Sequence, residues 1–505
     1  MTQAVARLLL VIIASISALV VGVPRAHAQI FVPPPNNPVP TATTSAGGAS
    51  SQALTPLATY GVLGLACTVG STMVQAALMP RELTSAEVTR NGMTCFLGPA
   101  GWLLAGALFP ELNAPSSPQP RPPRGTQGGG RGGFTAPPAG AFGFVPNEVL
   151  LRVRAGTSDA YLQRMARRLN LTRLETQTFT LTGQSVQRWR IDGGRSVAGV
   201  IQSLARYVRV IAAQSNNFFR LQQGTAPAQS GSAQYVVDKL HLLEAHRITG
   251  GDDVPVAVID SQIDESHPEL AGTVVKRLDL TGAPAAAHAH GTGMAGAVAA
   301  KGRLTGVAPR ARLLAVRAFG GGAASTDATT FNVIKGIDWA ASEGARVINM
   351  SFAGPRDPLM AEILAAADAR GVVLVAAVGN AGPRSPPLFP GAYRQVIGVT
   401  ATDSHDKLLP VANRGAQVAV AAPGVDVLLP APGGGLQVTS GTSAAAAHVS
   451  GVAALLLARN PQLRPADVRR LLTTTATTLG PRPRNSEFGA GLVDALKAVD
   501  AAAPR

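Results

Sequence analysis

An α/β fold is expected for this chain: a parallel sheet with helices on both faces, preceded by a small βαββαβ unit and a hydrophobic N-terminal appendage. Three observations lead there. From about Gln229 onward, the short β-branched runs "VPVAVID", "ARLLAVRAF", "GARVINMSF", "GVVLVAAVGN" and "QVIGVTAT" are mostly separated by helical patterns such as "MAEILAAADAR". Before them, residues 144–226 switch between period-two and helical spacing. Earlier still, two uncharged apolar runs precede residue 110.

Taken in chain order, Arg7 and the apolar run from Leu8 to Gly22 lead into "PRAHAQ". Ala26-His27-Ala28 fits the small-x-small cleavage pattern, so residues 1–28 read as an export signal, too short for a comfortable membrane span. Residues 29–56 are a Pro/Ser/Thr-rich tether with no periodic apolar face. Residues 57–110 hold the two apolar runs, 57–79 and 91–110, around the charged "PRELTSAEVTR". That pattern is open between a helical hairpin stapled by Cys67 and Cys95 and a membrane-inserting pair. The two cysteines are themselves open between a disulfide and two free thiols. Residues 111–143, with "PSSPQPRPPRGTQGGGRGG", are a Pro/Gly/Arg-rich linker.

Regular structure begins at Phe144. "EVLLRVR" alternates as a strand, and Tyr161, Leu162, Met165, Ala166 and Leu169 make one helical face. "TFTLTGQSVQRWRID" reads as strand, turn and strand around Gly183. A second helical face, Val197, Val200, Ile201 and Leu204, is followed by extended chain in "VRVIAAQSNNFFRL".

The formal charge of +15 is spread unevenly. Residues 144–224 carry 12 Lys+Arg against 4 Asp+Glu, whereas residues 225–505 carry 25 against 22. A nucleic-acid protein would concentrate Arg with aromatics on its main domain; this chain does not, which argues against nucleic acid as a partner.

In a parallel sheet, chemistry sits at the carboxyl ends of strands. Asp260 closes "VPVAVID"; His290 stands in "HAHGTGMAGAVAA" and Ser443 in "GTSAAAAHVSGVAALLLA", each near an expected helix start among small residues. A serine hydroxyl becomes a nucleophile when a neutral imidazole takes its proton, and a carboxylate fixes that imidazole's tautomer. Asp260, His290 and Ser443 supply those three types. Backbone N–H groups at a helix start favour negative charge near Ser443, and Asn380 in "AAVGNAG" offers an amide donor to an oxyanion.

With these motifs in view, residues 229–499 resemble the subtilisin-like serine proteases, the subtilases of peptidase family S8. "VAVIDSQIDESHPEL" resembles the family's Asp motif, "HGTGMAG" its His motif and "GTSAAAAHVSG" its Ser motif. "VINMSF", "AAVGNAG" and "AAPGVDV" fall where the family has its substrate strand, oxyanion Asn and pre-Ser loop. The resemblance implies Asp260 as orienter, His290 as general base and acid, Ser443 as nucleophile and Asn380 as oxyanion donor. It also implies that Ser351, Phe352 and Ala353, with Gly379, bind substrate as an added strand. It makes 144–226 a ferredoxin-like prodomain that folds the enzyme and inhibits it, its tail near Leu221 to Ala226 lying in the cleft.

Departures from the family pattern are Gln262 for a usual Gly, Gly293 for a second His, and Ala444 and Ala447 for Met and Pro. The segment "AGAVAAKGRLTGVAP" lacks the insertion with which many relatives bind calcium. Asp264, Glu265 and Glu269 read as solvated acids, with a weak calcium site as the alternative to that reading, and no cofactor is required.

The expected protein is an exported serine endopeptidase, periplasmic or extracellular, acting on protein and peptide substrates and processing its own prodomain. Envelope association through 57–110 is part of that expectation. Its rival is a catalytically silent subtilase fold that binds peptides or tethers to the envelope.

Overall fold

The computed structural model describes residues 133–138, 142–222, 234–282, 284, 286–320 and 327–504. The expected signal, tether and apolar segment 57–110 lie outside them, as does most of the linker.

The first sheet is antiparallel, in the order β2-β3-β1-β4: β1 (Phe144–Val153), β2 (Leu171–Thr178), β3 (Ser185–Ile191) and β4 (Val210–Leu221). Two helices cover it, α1 (Asp159–Leu169) and α2 (Val197–Leu204). Both begin where a serine hydroxyl caps free amides, Ser158 accepting from Tyr161 N at 3.4 Å and Ser196 from Gly199 N at 3.1 Å. Leu162, Met165, Ala166 and Leu169 of α1 and Val197, Val200, Ile201 and Leu204 of α2 are buried against Val149, Leu151, Trp189 and Ile191. This is the βαββαβ order expected from periodicity. Tyr161, expected on the same face, is only half-buried.

Two parts of that region differ from expectation. The turn segment Phe179–Leu181 leaves the sheet instead of continuing a strand, and Phe179 and Leu181 bury with Val316, Phe331 and Ile334 of the second unit of structure. The Asp338 carboxylate holds them there by accepting from Thr180 N at 3.0 Å and Leu181 N at 2.8 Å. Alternation alone reads "TFTLT" as strand; the distant apolar cluster and carboxylate override it. In the expected linker, Phe134 bridges to Ala213, and Thr135 N donates to the Ala213 carbonyl at 3.0 Å.

The second sheet is parallel throughout, in the order β13-β12-β11-β9-β5-β7-β6. Its strands are β5 (Pro255–Asp260), β6 (Val274–Asp279), β7 (Arg312–Arg317), β9 (Val347–Met350), β11 (Val373–Ala377), β12 (Val396–Thr402) and β13 (Val418–Pro423). The five quoted runs supply β5, β7, β9, β11 and β12. Edge strand β6 carries Lys276 and Arg277 toward solvent, so it lacks the apolar run that marks the central strands.

Helices cover both faces. On one lie α3 (Tyr235–Lys239), α4 (Leu242–His246), α5 (Ala289–Ala299), α8 (Thr442–Arg459), α9 (Pro465–Thr474) and α10 (Ala495–Ala501). On the other lie α6 (Thr330–Ser342) and α7 (Pro358–Ala369). Helix α8 runs through the core, with Ala444–Ala447, Val449, Val452 and Leu455 all at 0% exposure. Its small residues let α5 and the sheet approach closely, which explains a composition without a polar face. Among the described residues α8 has the length and hydropathy to cross a membrane, but 89% of it is buried inside the protein. Short strands β8 (Asp327–Thr329) and β10 (Phe352–Ala353) pair with the end of β4, and β14 (Val427–Ala431) with β15 (Gly435–Thr439) forms a hairpin over α5.

Candidate active site

The carboxyl end of β5 and the first turns of α5 and α8 converge. Asp260 is the last residue of β5, His290 the second of α5 and Ser443 the second of α8, and all three are at 0% exposure. His290 Nδ1 lies 2.7 Å from Asp260 Oδ1, and His290 Nε2 lies 3.1 Å from Ser443 Oγ. With Nδ1–H donated to the carboxylate, Nε2 presents its lone pair to the hydroxyl, the arrangement needed for proton transfer from Ser443. Asp260 Oδ1 also accepts from Ser261 N at 2.7 Å and Ser261 Oγ at 3.1 Å, which fixes the carboxylate's orientation toward the imidazole.

His288 is a neighbour that motif reading passed over, though the "HAH" triplet carried the signal. It caps α5, its Nδ1 accepting from His290 N at 3.2 Å and lying 3.0 Å from Ser261 Oγ. Burial, and then the adjacent His290, hold its pKa below the usual imidazole value, with Asp260 opposing. The neutral ring this favours keeps Nδ1 free to accept.

Asn380 follows β11. Its Oδ1 accepts from Thr442 Oγ1 at 2.9 Å and Thr442 N at 3.2 Å, which fixes the side-chain amide beside the start of α8. Nδ2 is buried and has no hydrogen-bond partner among the described residues. A buried, unpaired donor beside a serine at a helix N-terminus suits an incoming oxyanion. Gly379 lies at φ +106°, where a Cβ would meet Leu388 Cδ1 at 2.8 Å, so glycine is required for the backbone to bring Asn380 round.

The cleft is occupied by the chain itself. β10 pairs antiparallel with β4, Phe352 opposite Leu221 and Ala353 opposite Arg220, and Gln222 N donates to Ser351 O at 3.2 Å. The next carbonyl, Gln222 O, lies 2.5 Å from Ser443 Oγ, while Asn380 N donates to Gln222 Oε1 at 2.9 Å. Ser351 O also lies 3.1 Å from Ser443 Oγ, and Ser351 Oγ donates to Ser443 O at 3.0 Å. Thus every residue singled out from the motifs, Asp260, His290, Ser443, Asn380, Ser351, Phe352, Ala353 and Gly379, falls in one cleft. That Gln222 presents its carbonyl to Ser443 had no local signal in the sequence.

The acidic residues raised for calcium do not gather. Glu269 accepts from the backbone N–H groups of Gly302, Arg303 and Leu304 at 3.0, 2.9 and 2.9 Å. Asp264 takes Ser266 and the Gly433 amide, and Glu265 pairs with Arg277. These carboxylates clamp loops, and no cluster with metal-binding character occurs among the described residues. At the departures, Gln262 turns its amide to the Ile263 carbonyl, away from Asp260. A Cβ on Gly293 would come within 2.9 Å of Gln437 Nε2, whose own bonds go to Ala289 O and Pro430 O, so Gln437 fills the room of the usual second histidine.

Comparison with known proteins identifies the family. Residues 251–491 match the profile of the subtilase family, peptidase S8. The chain is 37% identical to subtilisin E of Bacillus subtilis over 259 residues, which is 49% of this chain and 66% of that protein. It is 35% identical to subtilisin DY of Bacillus licheniformis over 285 residues, 54% of this chain and 100% of that protein. Among solved structures, fervidolysin from Fervidobacterium pennivorans, a keratinolytic enzyme related to subtilisin, superposes with a TM-score of 0.62. That match covers 73% of this chain and 63% of fervidolysin at 23% identity, a likeness of fold. The chain belongs to the subtilase family of serine endopeptidases.

Proposed function

We propose that this chain is an exported endopeptidase that cuts peptide bonds in proteins through Asp260, His290 and Ser443, and that its first substrate is its own Gln222–Gln223 bond. The observation that carries the reading is the Gln222 carbonyl oxygen 2.5 Å from Ser443 Oγ, itself 3.1 Å from His290 Nε2. In the proposed reaction His290 takes the Ser443 proton as Oγ bonds to the carbonyl carbon. The oxyanion then forms a hydrogen bond with the Asn380 amide. His290 returns the proton to the leaving amine, an acyl-serine remains, and water releases it by the same steps in reverse roles. Asp260 holds the imidazole through Nδ1. No step uses a cofactor.

The βαββαβ unit then acts as an inhibitory prodomain. Support comes from β4, whose end lies along β10 as a substrate strand would, and from the polar contacts behind it. Asp357 Oδ2 accepts from Gln214 Nε2 and Asn217 Nδ2, each at 2.8 Å, and from Thr330 Oγ1 at 2.6 Å. Cutting the Gln222 bond breaks none of those bonds, so the cleaved unit covers the cleft until it dissociates or is itself digested. Export rests on the apolar run before Ala28.

The test is the intact mass, over time, of residues 29–505 as wild type and as Ser443→Ala. The wild type should shed a fragment ending at Gln222 while the variant stays whole. If neither form is cut and the wild type also resists a fluorophosphonate, the reading fails in favour of a silent peptide-binding subtilase fold.

A further inference from the structure

The end of β4 lies between two short strands, so its residues have a neighbour on either side. Against β8, Phe219 stands opposite Ala328 and Arg220 opposite Asp327; against β10, Arg220 stands opposite Ala353. Resting on the protease reading above, with Gln222 as the residue whose carbonyl is attacked, Arg220 is the third residue before the scissile bond. Its Nε donates to Asp327 Oδ1 at 3.0 Å. We infer that Asp327 is a specificity-determining residue that favours a basic side chain at the third position before the cut.

Directly opposed residues of an antiparallel pair share a face and lie within side-chain reach, so register alone brings a substrate's third residue to Asp327. Backbone pairing to both strands sets that register for any extended segment, whatever its sequence. The Arg220 guanidinium also lies 5.9 Å from the Phe142 ring, but Phe142 belongs to the first unit and leaves with it, whereas Asp327 stays beside the cleft. The side chains of Arg220 and Asp327 are 43% and 30% exposed, so water and salt weaken the pair, and the preference it produces is moderate rather than absolute.

The test uses the protein expressed as residues 29–505 and matured by its own cleavage, freed of the first unit, and quenched peptides reading Phe-Xaa-Leu-Gln before the cut, with Xaa as Arg, Gln or Glu. Attraction to Arg and repulsion of Glu together predict kcat/KM about tenfold higher for Arg than for Glu at low salt. The ratio should fall toward one at about 1 M NaCl and in Asp327→Asn, and invert in Asp327→Arg. The salt series needs no variant, so a poorly folded substitution leaves the comparison standing. A further peptide, with Gln at the third position and Arg moved to the fifth, controls for net charge: equal benefit there overturns the inference. Equal rates for all peptides in the wild type, or a preference unchanged in Asp327→Asn, overturn it too while leaving the protease reading intact. If the wild type cuts none of them faster than Ser443→Ala, both fall together.

Discussion

His448 lies in α8, the helix that begins with the site's serine, and it should make the protein sensitive to mild acid. Its ring is 3% exposed, with Nδ1–H donated to the Pro423 carbonyl at 2.8 Å. Beside it is a small cavity lined in part by Gln234, Val236, Ala297, Leu304, Thr305 and Val427, with no carboxylate among its lining residues to balance a charged ring. Burial pushes the imidazole down from 6.5 to about 4, with the Pro423 hydrogen bond opposing only in part. Above pH 6.5 the folded and unfolded chains are both neutral here and the stability is complete. As pH falls through 6.5, the unfolded chain takes a proton that the folded form refuses until about pH 4, so stability declines across that window. The difference corresponds to about 3 kcal/mol in full, most of it lost between pH 7 and pH 4.5. The assay is urea unfolding of Ser443→Ala, which cannot digest itself, with and without His448→Gln, at those two pH values. Carboxylates titrate in both proteins, so the readout is their difference: the His448→Gln form should lose about 2–3 kcal/mol less on acidification. An equal loss in the two would refute the reasoning.

Two further substitutions test the cleft. Asn380→Ala removes the donor that the proposed mechanism assigns to the developing oxyanion, so kcat on a peptide should fall roughly 100- to 1,000-fold with KM little changed. A loss expressed mainly in KM would mean that Asn380 serves substrate binding instead. Gly354→Ala would place a Cβ 2.3 Å from Cδ1 of Phe219, a fully buried ring packed edge-on to Phe352 at 6.0 Å. Displacing it should cost about 1–3 kcal/mol and slow release of the 222-ending fragment about tenfold, measured by mass over time. An unchanged rate would show that the Phe219 seat does not matter for processing.

Local pattern alone determined the parallel α/β architecture, the two helical faces of the first unit and the residues worth watching at element ends. Those signals lie between near neighbours: a period of two or 3.6, a serine before a helix, small residues where a backbone must come close. Edge strand β6 escaped because a solvent-facing strand needs no apolar run, and Phe179–Leu181 misled because its partners lie elsewhere. Whether Asp264, Glu265 and Glu269 would gather or separate was likewise invisible, since Glu269 is directed by backbone amides more than thirty residues away. Tertiary structure alone decided that His290 meets a carboxylate 30 residues before it and a hydroxyl 153 residues after it. It alone set the Gln222 carbonyl on Ser443 and Arg220 on Asp327. Such contacts depend on how sheet and helices pack across the whole core, and no stretch of sequence short enough to show a period contains both partners.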